Sequence, residues 1–112
     1  MCSKKDGDKV YLVVNGVEVQ VFNSKEPTAI PWGACGADYI CESTGMFTDR
    51  QKAKVHIKSG AKKIIISAPP KDDVLVYVVG VNHKGYKTID TVVSNASCTT
   101  NCLAPVTKVV HE

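Results

Sequence analysis

The segment Ile89–Pro105 reads IDTVVSNASCTTNCLAP and changes character halfway along its length. The run Ile89–Val93 is rich in β-branched side chains, which predicts a short buried strand. Small polar residues follow, and the segment then predicts a helix that starts near Cys98 with Ser97 or Thr99 as its N-cap. The proline near the middle of this helix is expected to interrupt it. Apolar residues recur at helical spacing along it: Cys102, Leu103, Val106, Val109 and Val110.

Upstream segments show the same alternation of strand and helix patterns. Val10–Val14 and Val17–Phe22 flank Asn15-Gly16, a preferred two-residue turn, and therefore predict a β-hairpin. A helix is predicted over Arg50–Ser59, and Gly60 is expected to end it. Three further strands are predicted within residues 37–43, 62–70 and 72–83.

The order of these elements indicates the fold class. Nearly continuous apolar strands that alternate with helices indicate a parallel sheet covered on both faces. The order is that of the later part of a doubly wound, mostly parallel nucleotide-binding (Rossmann-type) α/β sheet, incomplete and with a β-hairpin near the N-terminus. Ligands of such sheets bind at the carboxyl ends of the strands. Three such ends carry small polar residues and are expected to form one site: Cys41–Gly45, Ile66–Pro70 and Ser94–Thr100.

The composition argues against several classes of protein. With 44% apolar and 22% charged residues among 112, the chain fits a folded domain or part of one. No apolar run approaches the roughly 20 residues of a membrane span, and the N-terminal MCSKKDGDKV lacks the apolar core of a secretory signal. The basic residues between positions 50 and 63 lack interleaved aromatics, which indicates a solvated helix face and no nucleic-acid binding. Five cysteines, an odd number, in an unexported chain are expected to be free thiols in a reducing compartment.

Cys98 has four conceivable roles. Zinc requires about four ligands, usually in close pairs, but the cysteines and histidines are scattered, so no metal site is expected. A disulfide with Cys102 is disfavoured because side chains at i and i+4 of a helix point in parallel. The first-turn N–H groups and the helix dipole favour the reactive thiolate, yet from the spacing alone a nucleophile and a core residue both remain open. Cys102, one turn later on the apolar face, is expected to be a small core residue.

The segment Ser94–Pro105, SNASCTTNCLAP, closely resembles the active-site segment of phosphorylating glyceraldehyde-3-phosphate dehydrogenases. The likeness extends over YICESTGMFTDRQKAKVHIKSGAKKIIISAPP, over VVGVNHKGY and over the hairpin, so that it covers about residues 9–112. It implies a glycolytic, cytoplasmic oxidoreductase with NAD as cofactor. The implied substrates are glyceraldehyde 3-phosphate and inorganic phosphate, and the implied assembly is a homotetramer.

The resemblance also implies roles for single residues. Cys98 is the implied nucleophile, which forms a thioester, and Ser97, Cys98 and Thr99 are the implied contacts of the substrate or the attacking phosphate. Residues 1–97 are expected to form a partial NAD-binding domain. Residues 98–112 are expected to form the active-site helix, leading toward a catalytic domain that the 112 residues do not include. The implied cofactor contacts are Thr44, Gly45, Ser67 and Lys25, the last standing where an arginine is usual.

The sequence departs from this family in two further respects. It contains no G-x-G sequence, so the glycine-rich turn that normally binds the cofactor pyrophosphate is missing. None of its three histidines matches the family's catalytic base. Two hypotheses follow. The chain is a segment of an NAD-dependent dehydrogenase that is not competent alone, or it is an inactive truncated relative that acts as a thiol redox or interaction module.

Overall fold

The N-terminal part of the chain forms a three-stranded antiparallel sheet. A computed structural model of the protein describes residues 2–112. Strands β1 (Cys2–Asp6), β2 (Lys9–Val14) and β3 (Val17–Val21) form a sheet in the order β1-β2-β3. The hairpin between β2 and β3 confirms the sequence prediction, and Asn15 and Gly16 both take positive φ in its turn. Strand β1 was not predicted, because its residues CSKKD carry no apolar alternation, and it is held as an exposed edge strand by backbone pairing.

The second sheet is fully parallel. It contains β4 (Tyr39–Glu42), β5 (Lys63–Ile66), β6 (Leu75–Val76) and β7 (Val92–Ser94) in the order β4-β5-β7-β6. All three strand pairs are parallel. The order places β7 between β5 and β6, as a crossover connection of a doubly wound sheet requires. This arrangement confirms the predicted fold class, a partial Rossmann-type α/β fold preceded by a hairpin.

Two of the predicted strands differ from those observed. The strand expected at Ile89–Val93 begins only at Val92, and Ile89 is 80% exposed. The strand expected within residues 72–83 is reduced to β6. The side chain of Asn82 accounts for its early end, because it accepts from Val78 N–H and donates to Val76 C=O at 2.7 and 2.9 Å. Side-chain bonds of this kind compete with strand pairing.

Among residues 2–112, helices pack on one face of the parallel sheet, which differs from the predicted cover on both faces. Two short helices, α1 (Arg50–Ala53) and α2 (Val55–Lys58), contribute to the core on this face, where the buried apolar residues are Ile40, Ala53, Ala61, Ile64, Ile66, Val74 and Val92. On the other face Tyr39 is 71% exposed, and Ile65 and Val93 are half-buried. Alternate residues of a strand point to opposite faces, which is why the apolar run of β5 is divided between core and solvent.

The helix predicted over Arg50–Ser59 is divided into two turns. Asp49 caps the first turn, since its carboxylate accepts from the backbone N–H of Lys52 at 2.8 Å. Lys54 separates α1 from α2, and Gly60 ends the second turn with φ +103. At that point the backbones of Gly33 and Gly60 meet, with the N–H of Gly33 donating to Ser59 C=O at 3.0 Å.

Replacing Gly60 by alanine is expected to lower the free energy of unfolding by about 2–3 kcal/mol. A Cβ at this position would lie 2.6 Å from Gly33 Cα and 2.7 Å from Gly33 N, at a φ that side chains rarely adopt. Urea unfolding followed by Trp32 fluorescence measures the change. Gly85→Ala is the matched control, because a Cβ there has no atom within 4 Å. Equal losses in the two variants would refute the close-contact explanation.

The C-terminal helix α3 (Cys98–His111) runs without a break through Pro105, so the predicted interruption is not observed. None of its residues is buried. Cys102 is exposed, which makes the prediction of a core residue wrong, and Leu103 is 61% exposed. The helix is attached to the sheet loops by polar contacts, among them Lys108 Nζ to Gly80 C=O at 2.9 Å. None of the described helices is long and apolar enough to cross a membrane.

Candidate active site

The loops that follow β4, β5 and β7 are hydrogen-bonded to one another. Ser67 N–H donates to Glu42 C=O at 2.9 Å, and Asn95 N–H donates to Ile66 C=O at 3.2 Å. The register aligns the last residues of the three strands side by side. The three strand ends that carry small polar residues therefore lie at one edge of the sheet, where ligands of such sheets bind.

A strained turn leads from β7 into α3. Ala96 is buried and has φ +63, a left-handed conformation that is costly for a residue with a Cβ. The buried hydroxyl of Ser94 supports it by accepting from Ala96 N–H at 2.9 Å and donating to Ala68 C=O at 2.7 Å. One hydroxyl thus joins the loop after β5 to the turn that precedes Cys98.

Cys98 is the first residue of α3 and is exposed. Ser97 is the N-cap, as one of the two sequence alternatives predicted, and its hydroxyl accepts from Thr100 N–H at 3.1 Å. Its carbonyl accepts from Asn101 N–H at 3.0 Å. Within residues 2–112 the N–H groups of Cys98 and Thr99 are left for a ligand. Such groups, at the positive end of the helix, stabilise an oxyanion or a phosphate.

The residues predicted to contact the cofactor fall into two groups. Thr44 and Gly45 follow β4 and Ser67 follows β5, and all three are exposed at the same sheet edge. Gly45 has φ +74 and open space where a Cβ would lie, so a ligand can approach its backbone closely. Lys25 is exposed in the loop after β3, and within residues 2–112 no hydrogen bond or ion pair joins it to the other three.

Glu42 forms a buried polar network that sequence reasoning missed. Its carboxylate accepts from the N–H and hydroxyl of Thr44 at 2.8 and 2.5 Å and lies 2.8 Å from His56 Nε2. His56 Nδ1 in turn lies 3.2 Å from Nε1 of Trp32. Burial by itself raises the pKa of Glu42, but the bonds from Thr44 and His56 outweigh burial and lower it below the ordinary value of 4.5.

This lowered pKa predicts a pH-dependent contribution to stability. The Glu42 carboxylate contributes fully above its unfolded-state pKa of about 4.5, and the contribution is lost as the pH falls through the lower folded-state pKa. Urea unfolding at several pH values should therefore show a steeper acid loss in the wild type than in Glu42→Gln, which does not titrate. His56 is the titratable group that faces Glu42, and both proteins contain it. Parallel profiles would contradict the assignment.

None of the three histidines lies beside Cys98. His56 is buried between Glu42 and Trp32. His83 lies beside Gly80, which contacts Lys108 near the far end of α3. His111 is 13 residues along α3 from Cys98, which is about 20 Å at 1.5 Å per residue. Among residues 2–112 no cluster of three or more side chains fits a metal ion, and the cysteines are all free.

Two of the missed residues had a signal in the sequence. Glu42 lies two positions after Ile40, and Ser94 lies two positions after Val92, so strand periodicity puts each on the buried face. A charged or hydroxyl side chain on a buried face requires partners, which marks it as part of a polar network.

Comparisons with known proteins find similarity to one kind of enzyme. Residues 2–50 match the family model described as glyceraldehyde 3-phosphate dehydrogenase, NAD binding domain. Glyceraldehyde-3-phosphate dehydrogenase of Yarrowia lipolytica is 56% identical over 96% of this chain, and glyceraldehyde-3-phosphate dehydrogenase B of Aspergillus oryzae is 59% identical over 96%. A Zea mays relative, named glyceraldehyde-3-phosphate dehydrogenase 3, cytosolic, is 55% identical over 94%.

The matched region is only part of each relative. The chain spans about 31% of the length of these three proteins. The identity extends over nearly all of the chain and includes both the family-model region and the helix that begins at Cys98. The chain is thus similar, over nearly all of its length, to a segment of glyceraldehyde-3-phosphate dehydrogenases.

Proposed function

We propose that this chain supplies the nucleophile and part of the cofactor site of a phosphorylating glyceraldehyde-3-phosphate dehydrogenase. The observation that carries the proposal is the position of Cys98, exposed in the first turn of α3 at the carboxyl edge of a parallel sheet. The N–H groups at the positive end of the helix can bind an anionic group of the substrate beside the sulfur of Cys98. Cys102 lies one turn further along the same helix and is therefore not at the helix start.

The proposed chemistry begins with addition of the Cys98 thiolate to the aldehyde carbon of glyceraldehyde 3-phosphate. The N–H groups of Cys98 and Thr99 would stabilise the resulting oxyanion. NAD, when bound, supplies the hydride acceptor for oxidation to the thioester. Phosphate then attacks the thioester carbon, the carbon–sulfur bond breaks, and the acyl phosphate leaves as Cys98 regains its thiolate. Ser97 and Thr99 are the proposed contacts of substrate or phosphate.

The cofactor assignment rests on the loops after β4 and β5. Thr44, Gly45 and Ser67 present small, exposed surfaces at the edge where nucleotides bind in this fold. The open backbone at Gly45 fits close approach of a ligand. Lys25 is proposed as a further cofactor contact on the resemblance alone.

We extend the proposal to domain organisation and surroundings. Residues 1–97 would form part of the NAD-binding domain, and residues 98–112 the active-site helix that leads toward the catalytic domain. The exposed apolar side chains of α3 support this, because they require a covering partner in an assembled enzyme. A cytoplasmic location is supported by the maize relative, whose name describes it as cytosolic. The homotetramer is proposed on the family resemblance.

Acyl transfer from acetyl phosphate tests the nucleophile without requiring NAD. Attack of the thiolate on the acetyl carbon forms a carbon–sulfur bond, breaks the carbon–oxygen bond and releases phosphate, with no change of oxidation state. Peptide mass mapping should find a hydroxylamine-labile acetyl group on Cys98. Cys102→Ser removes the other exposed thiol of α3, one turn away, and should retain the modification, whereas Cys98→Ser should lose it. Acetylation that is equal at Cys102, or that persists elsewhere in Cys98→Ser, would overturn the proposal.

A further inference from the structure

A buried chain of three side chains lies directly behind the proposed cofactor turn. Glu42 and His56 are 3% and 4% exposed, and Trp32 packs against the apolar core. Phe47 packs edge-on against His56, with ring centroids 5.9 Å apart. Neither Glu42 nor His56 contacts Cys98, and the chemistry proposed for Cys98 uses neither. Burying two ionisable groups is costly, so their role in this fold requires an explanation.

The hydrogen-bond partners of the two ring nitrogens of His56 determine which nitrogen carries the proton. The indole N–H of Trp32 can only donate, so His56 Nδ1 must accept from it. The proton of the neutral ring therefore lies on Nε2, where it donates to Glu42 Oε2 at 2.8 Å. Trp32 thus fixes the tautomer of His56, and that tautomer requires an acceptor at position 42.

The other oxygen of Glu42 is committed to Thr44. Oε1 accepts both the backbone N–H and the hydroxyl of Thr44, so one atom holds the main chain and the side chain together. The Thr44 hydroxyl also accepts from Met46 N–H at 3.2 Å. These bonds define the turn of residues 43–46, in which Gly45 takes φ +74 and faces open space.

We propose that Glu42 and His56 are positioning residues for the nucleotide, with Trp32 setting the tautomer through which they act. They hold the turn of residues 43–46 in the shape that receives the cofactor, so that the turn need not be ordered when the ligand binds. This inference rests on the proposed function, because it takes NAD to be the ligand of Thr44 and Gly45.

The substitution Glu42→Gln tests the inference because it replaces one of the two acceptor oxygens at position 42 by a donor. Its amide has one acceptor oxygen and one donor nitrogen, so either orientation leaves its N–H group facing a donor, from Thr44 or from His56. In Glu42→Gln, hydrogen exchange at the Thr44 amide should accelerate about tenfold or more, and NAD affinity should fall by a similar factor. Protection at Asn101 in α3 should not change.

The double variant Glu42→Gln/Trp32→Phe supplies the decisive comparison. Without the indole N–H, the proton of His56 can move to Nδ1, and Nε2 can then accept from the glutamine amide. Thr44 protection and NAD affinity should recover most of the loss that Glu42→Gln causes, with Trp32→Phe alone measured to complete the double-mutant cycle. A merely structural role predicts that the two substitutions add. If Glu42→Gln does not fold, the double variant must regain the folded state.

The outcomes separate this inference from the function on which it rests. Two results overturn the positioning role. One is an amide exchange rate of Thr44 that is unchanged in Glu42→Gln. The other is a double variant whose Thr44 protection and NAD affinity are no better than those of Glu42→Gln. If the wild type binds NAD and Glu42→Gln binds it with the same affinity, this inference is overturned but the proposed function is not. A wild type that shows no NAD-induced change at Thr44, Gly45 or Ser67 in its amide spectrum overturns the cofactor assignment of the proposed function, and with it the ligand named here.

Discussion

Replacing Glu42 by alanine is expected to lower the free energy of unfolding by about 3–5 kcal/mol. The substitution leaves three donors without an acceptor: the buried Nε2–H of His56, and the N–H and hydroxyl of Thr44. An unsatisfied buried donor costs about 1–3 kcal/mol. Because small domains have a net stability of only about 5–15 kcal/mol, this loss brings the chain close to its unfolding threshold.

Urea unfolding monitored by the fluorescence of Trp32, the only tryptophan, measures this effect. Glu18→Ala is the matched control, since Glu18 also forms an ion pair but lies on the exposed antiparallel sheet. Glu18→Ala should change the urea midpoint of unfolding little, because exposed ion pairs are screened by water. A midpoint for Glu42→Ala that equals the Glu18→Ala midpoint would contradict the buried network.

The 112-residue chain is expected to form no NADH from glyceraldehyde 3-phosphate, NAD and phosphate above the level of Cys98→Ser. No histidine lies beside Cys98 in the described residues, and a general base contributes about 10²–10⁴-fold to such reactions. The glycine-rich turn that positions the cofactor pyrophosphate is also missing from the sequence. The helix dipole, worth about 0.3–1 kcal/mol at an exposed site, compensates for only a small part of this.

NADH absorbance is the measurement, with the Yarrowia lipolytica relative as the positive control. The chain lacks both a base beside Cys98 and the turn that positions the cofactor. Its rate of NADH formation should therefore fall below that of the relative by more than the lack of a base alone would cause. Turnover that depends on Cys98 would refute the prediction. It would mean that another residue, or a second copy of the chain, supplies the missing base.

Much of the fold could be predicted from local patterns. Asn15-Gly16 between two alternating strands predicted the hairpin, and Ser97 or Thr99 before an apolar repeat predicted the start of α3. The errors arose where tertiary contacts decide. Asn82 takes over backbone bonds that a longer strand would use, and no periodicity shows this. The packing of Cys102 could not be predicted either, because helical spacing shows an apolar face but not whether another element covers it.

The candidate site was predicted only in part. The pattern of strand, turn and helix predicts Cys98 in the first turn of a helix with Ser97 or Thr99 as the cap, and in the structure Ser97 is that cap. Ser94, which supports the strained Ala96, was overlooked because a serine in a strand is ordinary until its hydroxyl is seen to join two loops. The Glu42–His56 pair was overlooked because its members are 14 residues apart and only the packing of α2 brings them together.

Competitive alkylation of the five thiols near neutral pH tests the central claim most directly, namely that the start of α3 makes Cys98 a nucleophile. All five cysteines are exposed, so access alone does not distinguish them. In the folded chain Cys98 should label about two- to fivefold faster than Cys102, as expected from the helix dipole. That preference should vanish in denaturing urea. A Cys98 that labels no faster than Cys102 in the folded chain would contradict the account.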